Sequence, residues 1–490
     1  MRLLDLIILA SLSVIALSAD AQEGRQVYEA NCASCHGANF QGTGLGPALS
    51  TASYIYGGKR DDIIRVVKNG IASRGMPSFQ NTLADAQISA LADFVPVRRV
   101  EENNTPDNNN TKDSVVNEPA FDTAPEKVST LDYLVKMEVV AEGLETPWAL
   151  VFTDADTMLL TERAGRLRLI ENGKLIAKSI EGTPEVFVSS HQWNQGGLLD
   201  IALDPDYSKN GWVYLCYSHA ISDASIAGEP LGMTRVVRGK IESYTWSNQE
   251  IIYQASHSDY NKNVWHYGGR MVFDKRGWLY FSVGDRGARE QARDLSKPTG
   301  KIHRLHANGV IPDDNPFRGK ADAIQTIFSF GHRNPQGLAL DPNTGEIWVS
   351  EHGPRGGDEL NILKPAGNYG WSKVSYGINY DGTLLTPHTK AKGIEQPVLY
   401  WRPSIGVSGI TFYQGREFPL WNSKLLVTGL ATRELRLLTV DKERVLHQET
   451  LIKFEGRPYE PVVGPDGAIY IVVASPGQLL RLTALEERKI

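Results

Sequence analysis

A strand–turn–strand unit that recurs six times is the feature that most constrains the fold of this chain. Each copy joins two apolar, strand-like runs through a turn that contains Asp, Pro or Gly. The copies read WALVFTDADTMLLTER, GLLDIALDPDYSKNGWVYLCY, GRMVFDKRGWLYFSVGD, GLALDPNTGEIWVSEHG, GITFYQGREFPLWNSKLLVTG and EPVVGPDGAIYIVVA. The turn residues Asp204, Asp274 and Asp341 lie about 70 residues apart, longer than the roughly 40–50 residues of common propeller repeats, so long inserted loops are expected. Six matched units predict an all-β six-bladed β-propeller over residues 131–485, and a pair of β-sandwiches is the alternative.

Composition changes sharply between residues 98 and 130, and this change divides the chain. The segment RRVEENNTPDNNNTKDSVVNEPAFDTAPEK is dominated by Asn, Asp, Pro, Thr and Glu and lacks apolar periodicity. Such a segment cannot bury enough surface to order itself, so we expect a flexible linker at 98–130. Because 490 residues are also too many for one core, the fold class is multidomain. A small all-α domain at 22–97 is expected to precede the propeller.

The first 21 residues, MRLLDLIILASLSVIALSADA, have the pattern of a signal peptide. Arg2 precedes an apolar run from Leu6 to Leu17, and Ala19-Asp20-Ala21 fits an A-x-A cleavage site. The run is short for a transmembrane helix, although a retained membrane anchor is the alternative, and no later stretch is long and apolar enough to span a bilayer. We therefore expect a periplasmic or secreted protein without a transmembrane segment. A net charge of −6 with no large basic block argues against nucleic-acid binding.

The segment 22–97 contains Cys-x-x-Cys-His, the attachment motif of haem c. Cys32 and Cys35 would form thioether bonds to the haem and His36 would be the proximal iron ligand, whereas a zinc or redox pair is the alternative. Met76, in RGMPSF, is the candidate distal ligand of the haem iron, although core packing is the more usual role of Met. The GMPxF motif followed by an amphipathic helix resembles the class I cytochromes c, which implies an electron carrier. Helices are expected at 23–30, 61–68 and 83–95. The remaining cysteine, Cys216, lies in a strand-like run and is expected to be a buried thiol.

Clusters of polar residues after or between the repeated strands carry the candidate chemistry of the propeller. They are HQWNQGGLLD (191–200), WHYGGR (265–270), SVGDRG (282–287), FGHRNPQG (330–337), SEHGPRGGDELNILKPAGNYGW (350–371), VLYWRPSIGVSG (398–409) and EGRPYEP (455–461). In this order they resemble the soluble aldose sugar dehydrogenases that depend on pyrroloquinoline quinone (PQQ), relatives of soluble glucose dehydrogenase. The resemblance covers nearly all of 135–485 and implies PQQ and calcium as cofactors. The cytochrome-like domain is an addition found in some members of that family.

Oxidation of an aldose at C1 removes a proton and a hydride, and no side chain accepts a hydride, so a cofactor is required. No G-x-G-x-x-G follows a strand and opens a helix, so a nicotinamide fold is not supported. The resemblance implies that His266 is the general base, that Asp285 fixes its tautomer, and that Arg333 stabilises charge on the reduced cofactor. From the residues alone, His266 could instead be structural and Asp285 a turn former.

The resemblance also implies a set of contacts to PQQ. This set comprises Gln195, Arg333, Asn334, Tyr380, Trp401 and Arg457. Trp401 would lie flat against the cofactor or the sugar, although a Trp between strands is more often part of a core. Asn334 could serve only an Asn-Pro turn, and Arg457 could be an ordinary surface residue.

Two positions depart from the family pattern. Tyr459 stands where a second Arg is expected, and Ala431 stands where the glucose dehydrogenases have a Lys. Thr432 and Arg433 are the candidate substitutes for that Lys. The way in which the PQQ carboxylates are neutralised is therefore open.

Calcium binds oxygen ligands, often backbone carbonyls. The resemblance implies that Gly353 and Pro354 supply carbonyls to an active-site calcium, which would polarise the quinone. Glu359 and the carbonyl of Tyr369 would form a second, structural calcium site. A glycine-rich loop with a solvated Glu359 is the alternative.

Together these features predict an exported enzyme that oxidises aldose sugars to aldonolactones and passes electrons through haem c to an external acceptor. A calcium-dependent propeller lactonase would also use a histidine and calcium. A non-catalytic propeller that docks a redox partner of the cytochrome is the third possibility. Preference among aldoses depends on a few loop hydrogen bonds that the sequence does not reveal.

Overall fold

The computed structural model describes residues 19–36, 40, 49, 60–70, 76, 78–80, 82–95, 126–191, 193–222 and 230–488. The chain divides into two compact units, residues 1–118 and 119–490. Residues 1–18, which carry most of the predicted signal peptide, and residues 98–125 of the predicted linker lie outside the described residues. Among the residues described, no helix is long and apolar enough to cross a lipid bilayer.

The first unit is helical, as the sequence predicts. Its helices are α1 (Ala19–Asn31), α2 (Ala33–His36), α3 (Arg60–Asn69) and α4 (Asp85–Phe94). A Cβ atom at Gly24 would lie 2.2 Å from the carbonyl oxygen of Ala90, so only glycine permits the close contact between α1 and α4. Cys32 is buried in the apolar cluster between the helices, and Met76 packs against the same cluster.

The second unit consists of strands joined by loops. In the described residues its strands are β1 (Glu126–Ser129), β2 (Tyr133–Ala141), β3 (Pro147–Phe152), β4 (Thr157–Glu162), β5 (Leu167–Glu171), β6 (Lys174–Leu175), β7 (Leu198–Leu203), β8 (Val213–Ile221), β9 (Leu231–Glu242), β10 (Thr245–Gln254), β11 (Met271–Phe273), β12 (Trp278–Val283), β13 (Lys301–His306), β14 (Ile327–Phe330), β15 (Pro335–Leu340), β16 (Ile347–Glu351), β17 (Asp358–Ile362), β18 (Leu399–Trp401), β19 (Val407–Phe412), β20 (Leu425–Gly429), β21 (Glu434–Asp441), β22 (Arg444–Lys453), β23 (Arg457–Val463), β24 (Ile469–Ala474) and β25 (Gln478–Glu487). Short helices follow β7 (α5, Tyr207–Asn210), β10 (3₁₀, His257–Asp259), β12 (3₁₀, Arg289–Arg293) and β19 (3₁₀, Pro419–Trp421).

These strands form six antiparallel sheets arranged as the blades of a propeller. Blades I to V are β3–β6, β7–β10, β11–β14, β15–β18 and β19–β22, each in chain order. Blade VI has the order β1-β2-β25-β24-β23, so a strand from the start of the unit closes the ring beside its last strand. The first strands of the blades, β3, β7, β11, β15, β19 and β23, contact one another in a closed circle. The predicted six-bladed propeller is confirmed, and each of the six repeated units supplies the two innermost strands of one blade.

One boundary differs from the sequence prediction. Residues Glu126–Ser129 fall inside the predicted linker, yet they pair with β2 as an edge strand of blade VI. The stretch has only four residues, too few for an alternating apolar pattern to register in the sequence. Cys216, in contrast, is a fully buried residue of β8, as expected.

The turn aspartates that reveal the repeat cap the turns between first and second strands. The Oδ1 atoms of Asp204, Asp274, Asp341 and Asp466 accept backbone N–H groups two residues further along the chain, at 2.9, 2.9, 2.8 and 3.1 Å. Asp side chains stabilise tight turns in this way. These turns lie on one face of the propeller.

The opposite face, called here the candidate face, collects two other kinds of connection. Neighbouring strands are antiparallel, so the loop from the second to the third strand of a blade opens on this face. The loop from the outermost strand to the first strand of the next blade opens there too. Residues directly before the first strands and directly after the second strands therefore lie at the candidate-face ends of the two inner strands of each blade.

A buried ion network joins the inner strands below the candidate face. Arg270 Nη1 donates to Asp200 Oδ1 at 3.0 Å and to Glu460 Oε1, and Nε donates to the carbonyl oxygen of Gln336 at 3.0 Å. The guanidinium carbon lies 4.0 Å from the ring centre of Trp148. Arg270 itself belongs to blade III, and its four partners belong to blades II (Asp200), VI (Glu460), IV (Gln336) and I (Trp148). One guanidinium therefore connects five of the six blades.

The network holds one cation against two carboxylates. Burial, opposed by Arg270 and reinforced by the nearby Asp200, raises the pKa of Glu460 to about 7. Burial also raises the pKa of Asp200. The two carboxyl groups thus favour retention of a proton.

Candidate active site

Most of the residues that the sequence marks as functional lie on connections of the candidate face. Gln195, His266, Arg333 and Asn334 precede the first strands of blades II, III and IV, and Asp285 follows the second strand of blade III. The structure therefore brings together residues that are up to 139 positions apart, from 195 to 334.

His266 and Asp285 form a hydrogen-bonded pair. The distance between His266 Nδ1 and Asp285 Oδ1 is 2.7 Å, and the aspartate is 1% exposed. Since an ionised carboxylate only accepts, Nδ1 carries the ring proton and Nε2 is left as the basic atom. None of the described residues hydrogen-bonds Nε2, and the histidine side chain is 14% exposed. The pair can therefore accept a proton from a bound molecule at Nε2.

The electrostatics of the pair keep the histidine neutral and the aspartate charged. Burial lowers the pKa of His266, and the positive charge of Arg333 lowers it further, against the opposing effect of Asp285. For Asp285, burial acts to raise the pKa, but the charge and hydrogen bond of His266 together with Arg333 outweigh it, and the pKa lies below its ordinary value. A neutral imidazole beside a fixed carboxylate is the arrangement of a general base.

The backbone around His266 is held in place from two directions. Its N–H donates to Gln195 Oε1 at 2.8 Å, and its φ of 55° lies in the left-handed region that is unfavourable for a non-glycine residue. The buried guanidinium of Arg286 donates to the carbonyl oxygens of Asn263 and Trp265 and lies 3.5 Å from the ring centre of Tyr267. These contacts stabilise the uncommon backbone conformation.

Arg333 and Asn334 form the wall beside this pair. Arg333 Nη1 donates to the carbonyl oxygen of His352 at 3.2 Å, and its backbone N–H donates to Glu351 Oε2 at 2.8 Å. Arg333 Nε is buried and has no hydrogen-bond partner among the described residues. Asn334 Oδ1 accepts the N–H of Gly268 at 3.0 Å, so Asn334 also fixes the segment that follows His266.

A small cavity beside Arg333 is lined by all four of the residues predicted to bind calcium. Its volume is about 20 Å³, and Gly353, Pro354, Glu359 and Tyr369 lie in its wall with Arg333. This is enough space for one ion or one water molecule. Within the described ranges, no group of three or more His, Cys, Asp or Glu side chains is arranged to hold a metal ion.

Two carboxylates, Glu351 and Glu359, lie in the wall of this cavity. Glu359 faces Glu351 across β16 and β17, and Asn361 Nδ2 donates to both carboxylates at 3.3 Å. Burial, together with the charges of Glu351 and Asp358, raises the pKa of Glu359 to about 8. A bound cation would offset that repulsion.

His352 and Trp371 are site residues that the sequence reasoning did not identify. His352 Nε2 is buried without a partner in the described part of the chain. Burial and the nearby Arg333 and Arg457 lower the pKa of His352 to about 4, against the opposing effect of Asp358. Trp371 Nε1 donates to Asp285 Oδ2 at 2.7 Å. The only sequence signal for either residue is its place within the quoted clusters EHGPRGG and NYGW.

The remaining predicted contacts lie at the rim or away from the site. Tyr380 is 70% exposed, with its hydroxyl 3.5 Å from Arg333 Nη2. Arg457 is exposed but close enough to affect the pKa of His352. Arg433 is exposed and donates through Nη1 to the carbonyl oxygen of Glu455 at 2.9 Å, and the hydroxyl of Thr432 is buried without a partner in the described residues.

Trp401 packs in the core of the propeller. Its ring is 5% exposed and lies in the apolar cluster between blades IV and V, where Nε1 donates to Gln448 at 3.2 Å. This is the packing role that tryptophans between strands usually have, and a contact of Trp401 with the cofactor or the sugar stays a prediction.

In the helical unit the structure supports a shared environment for the predicted haem ligands. His36 is the last residue of α2, and its backbone N–H donates to the carbonyl oxygen of Cys32 at 2.9 Å, which places both residues on one helical turn. Met76 contacts the same apolar cluster as Cys32. The side chain of Cys35 lies outside the described residues.

Fold and site together define a six-bladed propeller with a hydrogen-bonded histidine–carboxylate pair on its candidate face, preceded in the chain by a helical unit. Comparison with known families supports both parts. Residues 144–481 match the family described as glucose/sorbosone dehydrogenase. Residues 19–95 match cbb3-type cytochrome c oxidase subunit III. The chain belongs to the glucose/sorbosone dehydrogenase family and carries an additional cytochrome c domain.

Individual relatives agree with this assignment. An aldose sugar dehydrogenase of Escherichia coli is 38% identical over 357 residues, covering 71% of this chain and 93% of the relative. The crystal structure of the soluble aldose sugar dehydrogenase from Escherichia coli in its apo-form matches with a TM-score of 0.67 and 35% identity, covering 71% of this chain and 99% of that one. The PQQ-bound form of an aldose sugar dehydrogenase from Streptomyces coelicolor matches with a TM-score of 0.56 and 25% identity, covering 71% of this chain and 98% of that one. These relatives support an oxidoreductase.

Proposed function

We propose that this protein is a periplasmic or secreted quinoprotein that oxidises the C1 hydroxyl of aldose sugars to aldonolactones. Calcium-bound PQQ would supply the hydride acceptor, and haem c would carry the electrons singly to an external acceptor. The observation that carries the proposal is the His266–Asp285 pair, whose basic Nε2 is accessible beside the buried guanidinium of Arg333.

Three residues of the chain would act on the proton of the C1 hydroxyl. His266 takes the hydroxyl proton at Nε2, and Asp285 holds Nδ1 protonated and stabilises the imidazolium that forms. The lowered pKa of His266 keeps the base unprotonated at neutral pH before the reaction. Gln195 fixes the backbone of His266, so the ring meets the sugar in a defined orientation.

The donor atoms around the site fit a planar, anionic quinone. Arg333 Nε and His352 Nε2 are buried polar atoms without partners in the described part of the chain, which is costly unless a ligand satisfies them. Arg333 and Asn334 would contact the quinone edge, and Arg457 and Arg433 would neutralise its carboxylates. Thr432 has a buried hydroxyl without a partner in the same described ranges and could contribute a further hydrogen bond.

The cavity beside Arg333 fits calcium. It combines the carboxylate of Glu359, which burial and Glu351 make unfavourable to ionise, with a wall that contains Gly353, Pro354 and Tyr369. Carbonyl and carboxylate oxygens are the ligands that calcium prefers. A calcium held by the carbonyls of Gly353 and Pro354 would act as a Lewis acid towards the quinone, and Glu359 with the carbonyl of Tyr369 would hold a second, structural calcium.

The helical unit fits haem c. Cys32 and Cys35 would carry the porphyrin, and His36 and Met76 would be the axial ligands of the iron. Supporting this, Cys32 and Met76 contact one apolar cluster, which provides the dry environment that a haem requires.

Replacement of the base tests the proposed function. We expect His266→Ala to keep its affinity for PQQ while sugar-dependent turnover falls about 10²–10⁴-fold, the usual contribution of a general base. His306→Ala is the matched control, because His306 is a half-buried histidine of β13 whose ring contacts Trp278, at the end of the strand remote from the candidate face. Turnover by His266→Ala close to that of His306→Ala would contradict the role of His266.

A further inference from the structure

The side chain of Trp371 crosses from one blade to another. It follows β17 on the long connection of blade IV, and its ring is 6% exposed. Its indole N–H reaches the connection of blade III and donates to Asp285 Oδ2 at 2.7 Å. The ring centre also lies 5.3 Å from the guanidinium carbon of Arg333. Trp371 thus contacts both groups that flank His266.

The carboxylate of Asp285 is held by donors on both of its oxygens. Oδ1 accepts His266 Nδ1 at 2.7 Å and the N–H of Gly287 at 2.8 Å, and Oδ2 accepts only Trp371 among the described side chains. A carboxylate bound at both ends cannot rotate about its Cβ–Cγ bond without losing a charge-assisted hydrogen bond. Without Trp371, only the Oδ1 side would remain fixed.

We propose that Trp371 is a positioning residue that fixes the orientation and the basicity of the His266–Asp285 pair. The proposal rests on the proposed function of His266 as a base, and it goes beyond it by assigning the group that holds the carboxylate. A donor on Oδ2 withdraws negative charge from the oxygen that faces the imidazole. The imidazolium is then stabilised less, and the ring stays neutral.

The other charged and titratable groups around His266 stay in place when the indole N–H is removed. They are Asp285, Arg286, Arg333 and His352. Trp371→Phe keeps an aromatic ring in the same place and deletes the donor. We therefore expect the pKa of His266 to rise by about half a unit to one unit in this variant, because Asp285 loses the charge-assisted hydrogen bond from Trp371.

Trp348 provides a matched control. It is fully buried in β16, and its Nε1 has no hydrogen-bond partner in the described part of the chain. Trp348→Phe removes the same atoms from a buried site without removing a hydrogen bond. Any general effect of a smaller ring on the propeller will appear in this variant.

The test is a nitrogen-15 NMR titration of His266 in the full-length protein. We expect the wild type to show protonated Nδ1 and unprotonated Nε2 at neutral pH, an upward shift of the midpoint in Trp371→Phe, and no shift in Trp348→Phe. An unchanged midpoint in Trp371→Phe, or equal shifts in both variants, would overturn the proposal. If Trp371→Phe does not fold, the wild type provides the test. The chemical shift of the Trp371 indole N–H should then change with pH at the same midpoint as that of His266, and a different midpoint would overturn the proposal.

Kinetics separate this proposal from the proposed function. With PQQ and calcium, the acid limb of the kcat/KM profile of Trp371→Phe should move up together with the NMR midpoint, and kcat should fall while KM for the sugar changes little. If the wild type does not oxidise sugars, the proposed function is wrong, but the titration result for Trp371 and His266 still stands. If Trp371→Phe is active and has the pH profile of the wild type, the positioning role of Trp371 is wrong, while the proposed function stands.

Discussion

Asp285→Asn is the substitution whose consequence the geometry defines most closely. The carboxylate accepts three N–H groups, from His266, Gly287 and Trp371. Asparagine has the same shape but only one acceptor oxygen. If that oxygen faces His266, the amide NH₂ meets the indole N–H of Trp371, and two donors oppose each other. If the amide flips, its NH₂ donates to Nδ1 and the ring proton moves to Nε2, which removes the basic atom.

Both orientations impair the base, so we expect a large loss of activity with the fold intact. The kcat/KM for an aldose should fall about 10²–10⁴-fold, equivalent to about 3–5 kcal/mol of transition-state stabilisation. The assay is steady-state oxidation of the sugar by the PQQ-loaded enzyme with an artificial acceptor. Asp294→Asn is the control, because Asp294 lies on the same connection, is exposed, and accepts Ser296 N–H at 2.9 Å. Activity of Asp285→Asn within about threefold of this control would refute the assignment of the pair.

Two further predictions concern other parts of the chain. Because the folded pKa of Glu460 is raised to about 7, the native state binds more protons than the unfolded state, and the free energy of unfolding should fall as pH rises from about 4.5 to about 7. In Glu460→Gln, Asp200 stays as the partner of Arg270. Between these two pH values the free energy of unfolding of this variant, measured by denaturant titration, should fall by about 1–3 kcal/mol less than that of the wild type. The same pH dependence in both proteins would contradict the raised pKa of Glu460. Met76→Ala should lower the reduction potential of the haem, because Met ligation raises it. Met137→Ala in the propeller is the control for spectroelectrochemistry, and equal potentials in both variants would exclude Met76 as the ligand.

The sequence predicts the architecture well because the propeller is a repeated local unit. Each unit contains an apolar strand, a turn and a second strand, and the turn residues Asp274 and Asp341 reveal blades III and IV from local chemistry alone. The edge strand Glu126–Ser129 escaped prediction because its existence depends on pairing with a distant partner rather than on its own pattern.

The site is predictable only where a family motif marks it. The motifs bring His266, Asp285 and Arg333 into consideration, and the structure places them together. A Trp at a strand end, such as Trp401, can turn either to the core or to the loops, and local sequence does not distinguish these directions. Trp371 was missed because its contact to Asp285 spans 86 positions and is fixed only by tertiary packing.

Reduction of the haem by sugar tests the proposed chemistry most directly. Ferric full-length protein is mixed anaerobically with PQQ, calcium and an aldose, and the haem absorbance is followed. We predict reduction that requires both PQQ and the sugar and that is lost in His266→Ala. A haem that stays ferric under these conditions, while PQQ is bound, would contradict the proposal, and hydrolysis of added lactone would then distinguish a lactonase from a non-catalytic docking propeller.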